Sequence, residues 1–190
     1  FLEVILASSV TEEAKAVFAR KKRLRVLTLD EAGWSTEELP AVPRAISGGV
    51  LVQEDDLIEE VVRSCEVVTQ RQPTEEEWQA MTFGWALCRH VKSNAIVFAH
   101  SDRAAAIGAG QMSRVDSSKL AVMKATDSLA GSIVASDAFF PFPDGVEAAA
   151  EAGATAVVQP GGSIKDADVI AAADRLGLAM VFTGRRHFRH

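Results

Sequence analysis

The chain has 190 residues, 48% apolar and 24% charged, which is ordinary globular composition for one large domain or two small ones. A net charge of −6 argues against broad binding to nucleic acid or to a membrane surface. No apolar run approaches the roughly 20 residues that a membrane helix needs.

Residues 1–7 read as a buried strand, and the absence of a starting methionine suggests a fragment whose upstream part is missing. "SVTEEAKAVFARKK" follows as a helix, with Ser9 and Glu12 in a capping-box pattern. "RVLTL" is a second strand, residues 30–45 with their two prolines read as a loop, and "ISGGVLVQ" resumes a strand. "EVVTQ" is a further short strand. "PTEEEWQAMTFGWALCRHV" is the clearest helix: Thr74 and Glu77 form a capping box, and Trp78, Met81, Trp85 and Cys88 make one core-facing stripe.

From residue 94 the pattern tightens. "NAIVFA" and "AAAIGAG" read as adjacent strands, "DSSKLAVMKATD" as a helix, and "GSIVAS" as a strand that enters "SDAFFPFPDG". "DGVEAAAEAG" is a short helix closed by Gly153. "ATAVVQ", "KDADVIAAADRLG" and "LAMVF" complete a strand, helix and strand. This alternation predicts an α/β fold: a mixed, mostly parallel sheet with helices on both faces. In such sheets ligands bind beyond the carboxyl ends of the strands. The loops at 108–116, 137–145, 159–165 and 183–190 are therefore expected to share one rim.

Each loop has a functional and a plain reading. "IGAGQMSR" offers close backbone approach and Arg114 for a phosphate or carboxamide oxygen, or it is a tight turn. It fails as a dinucleotide fingerprint because Ser113 replaces the third glycine. "QPGGSIKD" presents the N–H groups of Gly161, Gly162 and Ser163 to an anion, or it is a glycine turn with Ser163 as the helix cap. Asn94 offers a donor and an acceptor to a planar amide, or it caps a turn. The terminal "RRHFRH" is a solvated tail, or it lies on the rim with Arg185 or Arg186 available to a phosphate. The phenylalanines of "SDAFFPFPDG" plug a core or face a flat ligand.

Several chemistries are set aside. The His-x-Glu and Pro-Cys-x-x-Cys motifs of zinc deaminases do not occur. His90 and His100 lack carboxylate company, so no catalytic metal is expected. No Gly-x-Ser-x-Gly elbow is present. Cys65 and Cys88 form neither a metal-like spacing nor a disulfide framework, so a reducing cytoplasmic setting is expected.

The motifs "RQPTEEE", "VKSNAIVFA", "IGAGQMSRVDSSKLA", "SDAFFPFPDG", "QPGGSIKDADVI" and "TGRRHFRH" together resemble, in this order, one family. Its members join 5-aminoimidazole-4-carboxamide ribonucleotide (AICAR) formyltransferase to IMP cyclohydrolase in purine biosynthesis. The resemblance covers essentially the whole chain and is to the C-terminal half of the formyltransferase region. It implies a cytidine deaminase-like subdomain without zinc at 67–190, with 1–66 as the remainder of the preceding subdomain and a connection. It also implies formyl transfer from 10-formyltetrahydrofolate to the 5-amino group of AICAR, in a homodimer that shares its sites between chains.

By the same resemblance, Asn94 hydrogen-bonds AICAR near the reacting amine, and is the catalytic candidate of this half. Arg114 contacts AICAR, Phe139 packs on the nucleotide, and Arg186 binds its phosphate. Glu3 corresponds to a family carboxylate that contacts AICAR. Val115, Asp144, Ser163 and Ile164 line the folate pocket. The family's proton-accepting histidine and its neighbouring lysine lie in the upstream half, so this chain alone is expected to be inactive. One departure is Pro143, where the family commonly has a basic residue beside Asp144. A noncatalytic nucleotide-binding or regulatory module that retained the pocket is the alternative.

Overall fold

The computed structural model describes residues 2–29, 41–53, 56 and 61–189. The chain divides into two compact units, 1–57 and 58–190.

In the first unit, strand β1 (Val4–Ala7) pairs in parallel with β2 (Arg25–Thr28), and helix α1 (Glu12–Phe18) joins them. The helix cap is Thr11 rather than Ser9: its hydroxyl accepts from the Ala14 N–H at 3.2 Å. The first strand is not buried. Val4 and Leu6 are about half exposed, because β1 has one partner strand among the described residues. Residues 42–45, expected in a loop, are strand. β3 (Val42–Ile46) and β4 (Gly49–Gln53) form an antiparallel hairpin that Gly48 turns at φ 82°. Pro43 is tolerated because this is a two-stranded ribbon, where a missing ladder N–H costs little. Residues 30–40 of the expected loop lie outside the described residues.

The second unit is built on a six-stranded sheet in the order β5-β10-β9-β8-β6-β7. Its strands are β5 (Glu66–Val67), β6 (Ile96–Ala99), β7 (Ala104–Gly108), β8 (Ile133–Ser136), β9 (Ala156–Gln159) and β10 (Ala179–Phe182). The helices are α2 (Glu75–Cys88), α3 (Arg114–Lys124), α4 (Asp144–Glu151) and α5 (Asp166–Arg175). The fold is mixed α/β. The pairing is not mostly parallel, as the alternation predicts: β8, β9 and β10 are parallel to one another, but β5 is antiparallel to β10, and β6 is antiparallel to both β7 and β8. The short link between β6 and β7 is the physical reason, since it is too short for a crossover helix.

Strand alternation sends side chains to two cores. Phe98, Val134, Val157 and Met180 meet α3, α4 and α5 on one face. Val97, Ala135, Val158 and Val181 meet α2 on the other. Burial on both faces explains why these strands read as unbroken apolar runs. The predicted stripe of α2 holds, with Met81, Trp85 and Cys88 buried and Trp78 half-buried. So does its capping box, in which the Thr74 hydroxyl accepts from the Glu77 N–H and the Glu77 carboxylate accepts from the Thr74 N–H. Gly153 ends α4 in a left-handed turn at φ 102°, and the Ala154 N–H reaches back to the Ala149 carbonyl.

Topology then sets the site. β7, β8, β9 and β10 run the same way, so the loops that follow them emerge on one rim. β6 runs oppositely, which brings its start, just after Asn94, to that same rim.

Candidate functional site

At this rim β8 ends on Ser136, and the next residue, Asp137, is a carboxylate with no exposed surface. One oxygen accepts from Arg114 Nη2 at 3.0 Å, and the other accepts from the Ser93 hydroxyl at 2.6 Å. Its backbone joins the same segments. The Asp137 N–H donates to the Ala95 carbonyl at 3.3 Å, and its carbonyl accepts from the His187 N–H at 2.8 Å. A single residue thus ties the start of α3, the entrance of β6 and the C-terminal tail together. A buried pair of this kind is costly to break, about 3–5 kcal/mol when one partner is removed.

Four of the predicted residues, Asn94, Arg114, Phe139 and Arg186, arrange themselves around this point. Arg114, 13% exposed in its side chain, also donates through Nε to the Ala138 carbonyl at 3.2 Å, beside Phe139. The Phe139 ring lies 4.7 Å below the Arg186 guanidinium. Asn94 is half-buried, and its amide nitrogen donates to the Gln111 carbonyl at 2.9 Å. Its backbone carbonyl accepts from the Ser117 hydroxyl at 2.8 Å. One of the two amide hydrogens of Asn94 is therefore used within the protein, while its side-chain oxygen makes no hydrogen bond among the described residues. Arg114, Phe139, Arg186 and the Asn94 segment form one linked group.

The plain reading of the "IGAGQMSR" loop holds. It is a turn, with Gly110 at φ 67° and its N–H on the Lys92 carbonyl at 2.8 Å. It also delivers Arg114 and Val115 to the first turn of α3. Ser113, which spoils the dinucleotide fingerprint, is the helix cap, accepting from the Asp116 N–H at 3.1 Å. The "QPGGSIKD" loop differs from expectation in two respects. The Gly162 N–H donates to Asp166 at 2.7 Å and so is taken, and the residue that caps α5 is Lys165, not Ser163. The Ser163 hydroxyl accepts from the Lys165 N–H at 3.1 Å.

The three phenylalanines divide their tasks. Phe140 is fully buried and its N–H donates to the buried Gln159 side chain at 2.9 Å. Phe139 is half-buried at the rim, and Phe142 is 57% exposed. Ile164 is fully exposed, Asp144 opens α4 with an exposed side chain, and Val115 is half-buried. Asp144, Ser163 and Ile164 stand on rim loops, but among the described residues no hydrogen bond links them to the Asp137 group. Glu3 belongs to the first unit, where its carbonyl accepts from the Arg25 N–H at 2.9 Å.

The tail is not a loose end. The Thr183 N–H donates to the Gln159 carbonyl, Ser93 and Arg189 exchange two hydrogen bonds, and buried His187 lies 4.5 Å from the Trp85 ring. Sequence reading does not single out Asp137, Ser93, Gln111 or His187. For Asp137 a signal existed: a carboxylate directly after an apolar strand that must be buried on both faces. For the others the sequence carries none.

Cys88 reports the electrostatics beneath the rim. Burial, reinforced by the Asp137 charge and opposed by Arg114, pushes its thiol well above the usual range. It stays neutral, with weak contacts to the Ala95 and Ala135 carbonyls. Among the described residues no cluster of His, Cys, Asp or Glu has metal-binding geometry. No described helix is long and apolar enough to cross a membrane. The rim therefore offers guanidinium groups, one free amide oxygen and aromatic faces: an arrangement for holding an anionic, planar molecule.

A family model described as AICARFT/IMPCHase bienzyme matches residues 1–124. The chain is 56% identical to the bifunctional purine biosynthesis protein PurH of Chloroflexus aurantiacus. It is 54% and 53% identical to the proteins of that name from Myxococcus xanthus and Anaeromyxobacter dehalogenans. All of the chain is aligned in each case, and it spans 37% of the length of these curated relatives.

Proposed function

The chain belongs to the AICARFT/IMPCHase bienzyme family, and from that premise we propose that it is the C-terminal part of an AICAR formyltransferase acting in IMP biosynthesis. The enzyme transfers the formyl group of 10-formyltetrahydrofolate to the 5-amino group of AICAR. The observation that carries the reading is the gathering of Arg114, Phe139, Arg186 and the Asn94 segment around Asp137 on one rim. IMP cyclohydrolase activity belongs to the upstream part of the same protein.

The reaction forms a bond between the AICAR amine nitrogen and the formyl carbon. It breaks the bond from that carbon to N10 of the folate, and the proton lost by the amine ends on N10, which leaves as tetrahydrofolate. An amine conjugated with an imidazole ring is a weak nucleophile, so alignment and a base are needed. In this reading Arg186 holds the phosphate, Arg114 contacts AICAR, Phe139 packs on the nucleotide, and the free oxygen of Asn94 accepts from the nucleotide near the reacting amine. Val115, Asp144, Ser163 and Ile164 receive the folate. The exposed Ile164 and Phe142 suit a planar pterin, which would cover apolar surface now facing water. The base is the histidine, with its neighbouring lysine, of the upstream half.

Residues 67–190 form the C-terminal cytidine deaminase-like subdomain of this enzyme, without zinc, and 1–66 the remainder of the preceding one with its connection. The working form is a cytoplasmic homodimer. The test is formyl transfer, followed as formylated AICAR, by the full-length protein and by the 190-residue chain. Activity in the full-length protein and none in the chain is expected. A full-length protein that binds AICAR yet transfers no formyl group would replace the enzyme with a nucleotide-binding module.

A further inference from the structure

We propose that Asp137 is a positioning residue, whose buried carboxylate sets the Arg114 guanidinium and the Ser93–Asn94 segment for the nucleotide. The inference rests on the formyltransferase reading and names a residue to which that reading gives no role.

Three observations carry it. Asp137 has no exposed surface, so its charge acts on its neighbours and not on solvent. Its two oxygens are divided between Arg114 and Ser93, which belong to different elements. Its backbone adds the tail, through His187, next to Arg186. An arginine carries four side-chain torsions, and unrestrained it samples many placements. Held by Asp137 Oδ1 and the Ala138 carbonyl, Arg114 loses that freedom before a ligand arrives, so little ordering entropy is paid on binding. Ser93 transmits the same constraint to Asn94, its chain neighbour, and fixes Arg189 by accepting its N–H at 3.2 Å. The carboxylate itself is fully engaged, which is why its role is to place other groups.

The experiment uses the full-length protein with Asp137→Asn, Arg114→Ala and the double variant, and measures AICAR affinity by calorimetry alongside thermal melting. Asp137→Asn keeps the shape and removes the charge. Each single variant is expected to weaken AICAR binding about 10-fold or more, with the affinity for the folate changed less than about 3-fold. In the Arg114→Ala background, Asp137→Asn should add less than about 2-fold, because the two act through one contact. A folded Asp137→Asn protein with wild-type AICAR affinity overturns the proposal, and so does full multiplication of the two losses. Arg114→Ala without effect on AICAR would instead overturn the reading of the site itself. If Asp137→Asn does not fold, Ser93→Ala decides. It removes one of the two side-chain bonds and should lower kcat about 3- to 10-fold with KM for AICAR little changed; unchanged kcat overturns the proposal.

Discussion

The Arg186 guanidinium stacks 4.7 Å from the centre of the Phe139 ring, and among the described residues no carboxylate pairs with it. A cation held over an aromatic face is oriented by an attraction of about 0.5–2 kcal/mol, yet its charge stays available. In the proposed site an incoming phosphate would therefore meet a guanidinium that is already placed. Arg186→Ala in the full-length protein should weaken AICAR binding about 10- to 100-fold, in the range of a lost charge-assisted hydrogen bond. Folate binding should change much less. Arg186→Lys should recover only part, because lysine keeps the charge and loses the planar fork. Equal losses for both ligands would remove the phosphate role.

Asn94 makes a different prediction, since one of its two amide hydrogens is already bonded to Gln111 while its side-chain oxygen makes no hydrogen bond among the described residues. Asn94→Ala should reduce turnover by roughly 10- to 1,000-fold, the effect of losing one positioned polar group. Its effect on KM for AICAR should be smaller than that on kcat. Steady-state kinetics of the full-length variant decide this, and unchanged turnover would leave Asn94 as an anchor for the 109–113 turn alone.

The rim was legible in the sequence because each of its loops follows an apolar strand, and parallel strands put their carboxyl ends together. That logic found the loops that carry Arg114, Phe139 and Arg186, while the role of each side chain came from the resemblance. It did not find Asp137, because the three rings beside it dominate the local pattern and mask the signal of a carboxylate that directly follows a buried strand, and its partners are distant in sequence. Those partners, Ser93 and Arg114, lie 44 and 23 residues away. Thr11 displaced Ser9 as the cap of α1 because both spacings are compatible with a helix start, and only the backbone selects between them. Residues 1–7 read as a buried strand, yet Val4 and Leu6 are about half exposed, because periodicity reports that a strand is apolar, not how many neighbours it has.

Gly161 tests the 160–165 loop independently of any ligand. It sits at φ 71°, and a Cβ there would collide with the Phe182 ring at the end of β10. Gly162, at φ 91°, has open space around it. Both alanine variants bear backbone strain of about 1–2 kcal/mol, but only Gly161→Ala must also move a packed ring, for about 1–3 kcal/mol more. Denaturant unfolding should rank Gly161→Ala clearly below Gly162→Ala. Equal stabilities would show that the ring yields freely.

The opposite end of the sheet is held by Glu77, and this yields a pH dependence. Arg71 forms a two-pronged ion pair with its carboxylate at 2.7 and 2.9 Å and also donates to the Gly177 and Thr155 carbonyls. Burial raises the pKa of Glu77, but the bonds from Arg71, the Thr74 N–H and Thr155 outweigh it, and the net shift is below the ordinary value of 4.5. A carboxyl whose pKa is lower folded than unfolded binds fewer protons in the native state, so its contribution is complete above that ordinary value. It is lost as pH falls through the lower, folded value. Glu77→Gln should therefore melt below the wild type at pH 7, by roughly 1–3 kcal/mol of stability for a buried charged hydrogen bond. The gap should begin to narrow as the pH falls below about 4.5 and should close once the pH passes the lower, folded value, where the wild-type side chain becomes a neutral acid much like glutamine. Melting curves of both proteins between pH 7 and pH 3 make the comparison, and a gap that stays constant would mean that packing, and not the charge of Glu77, holds this end of the sheet.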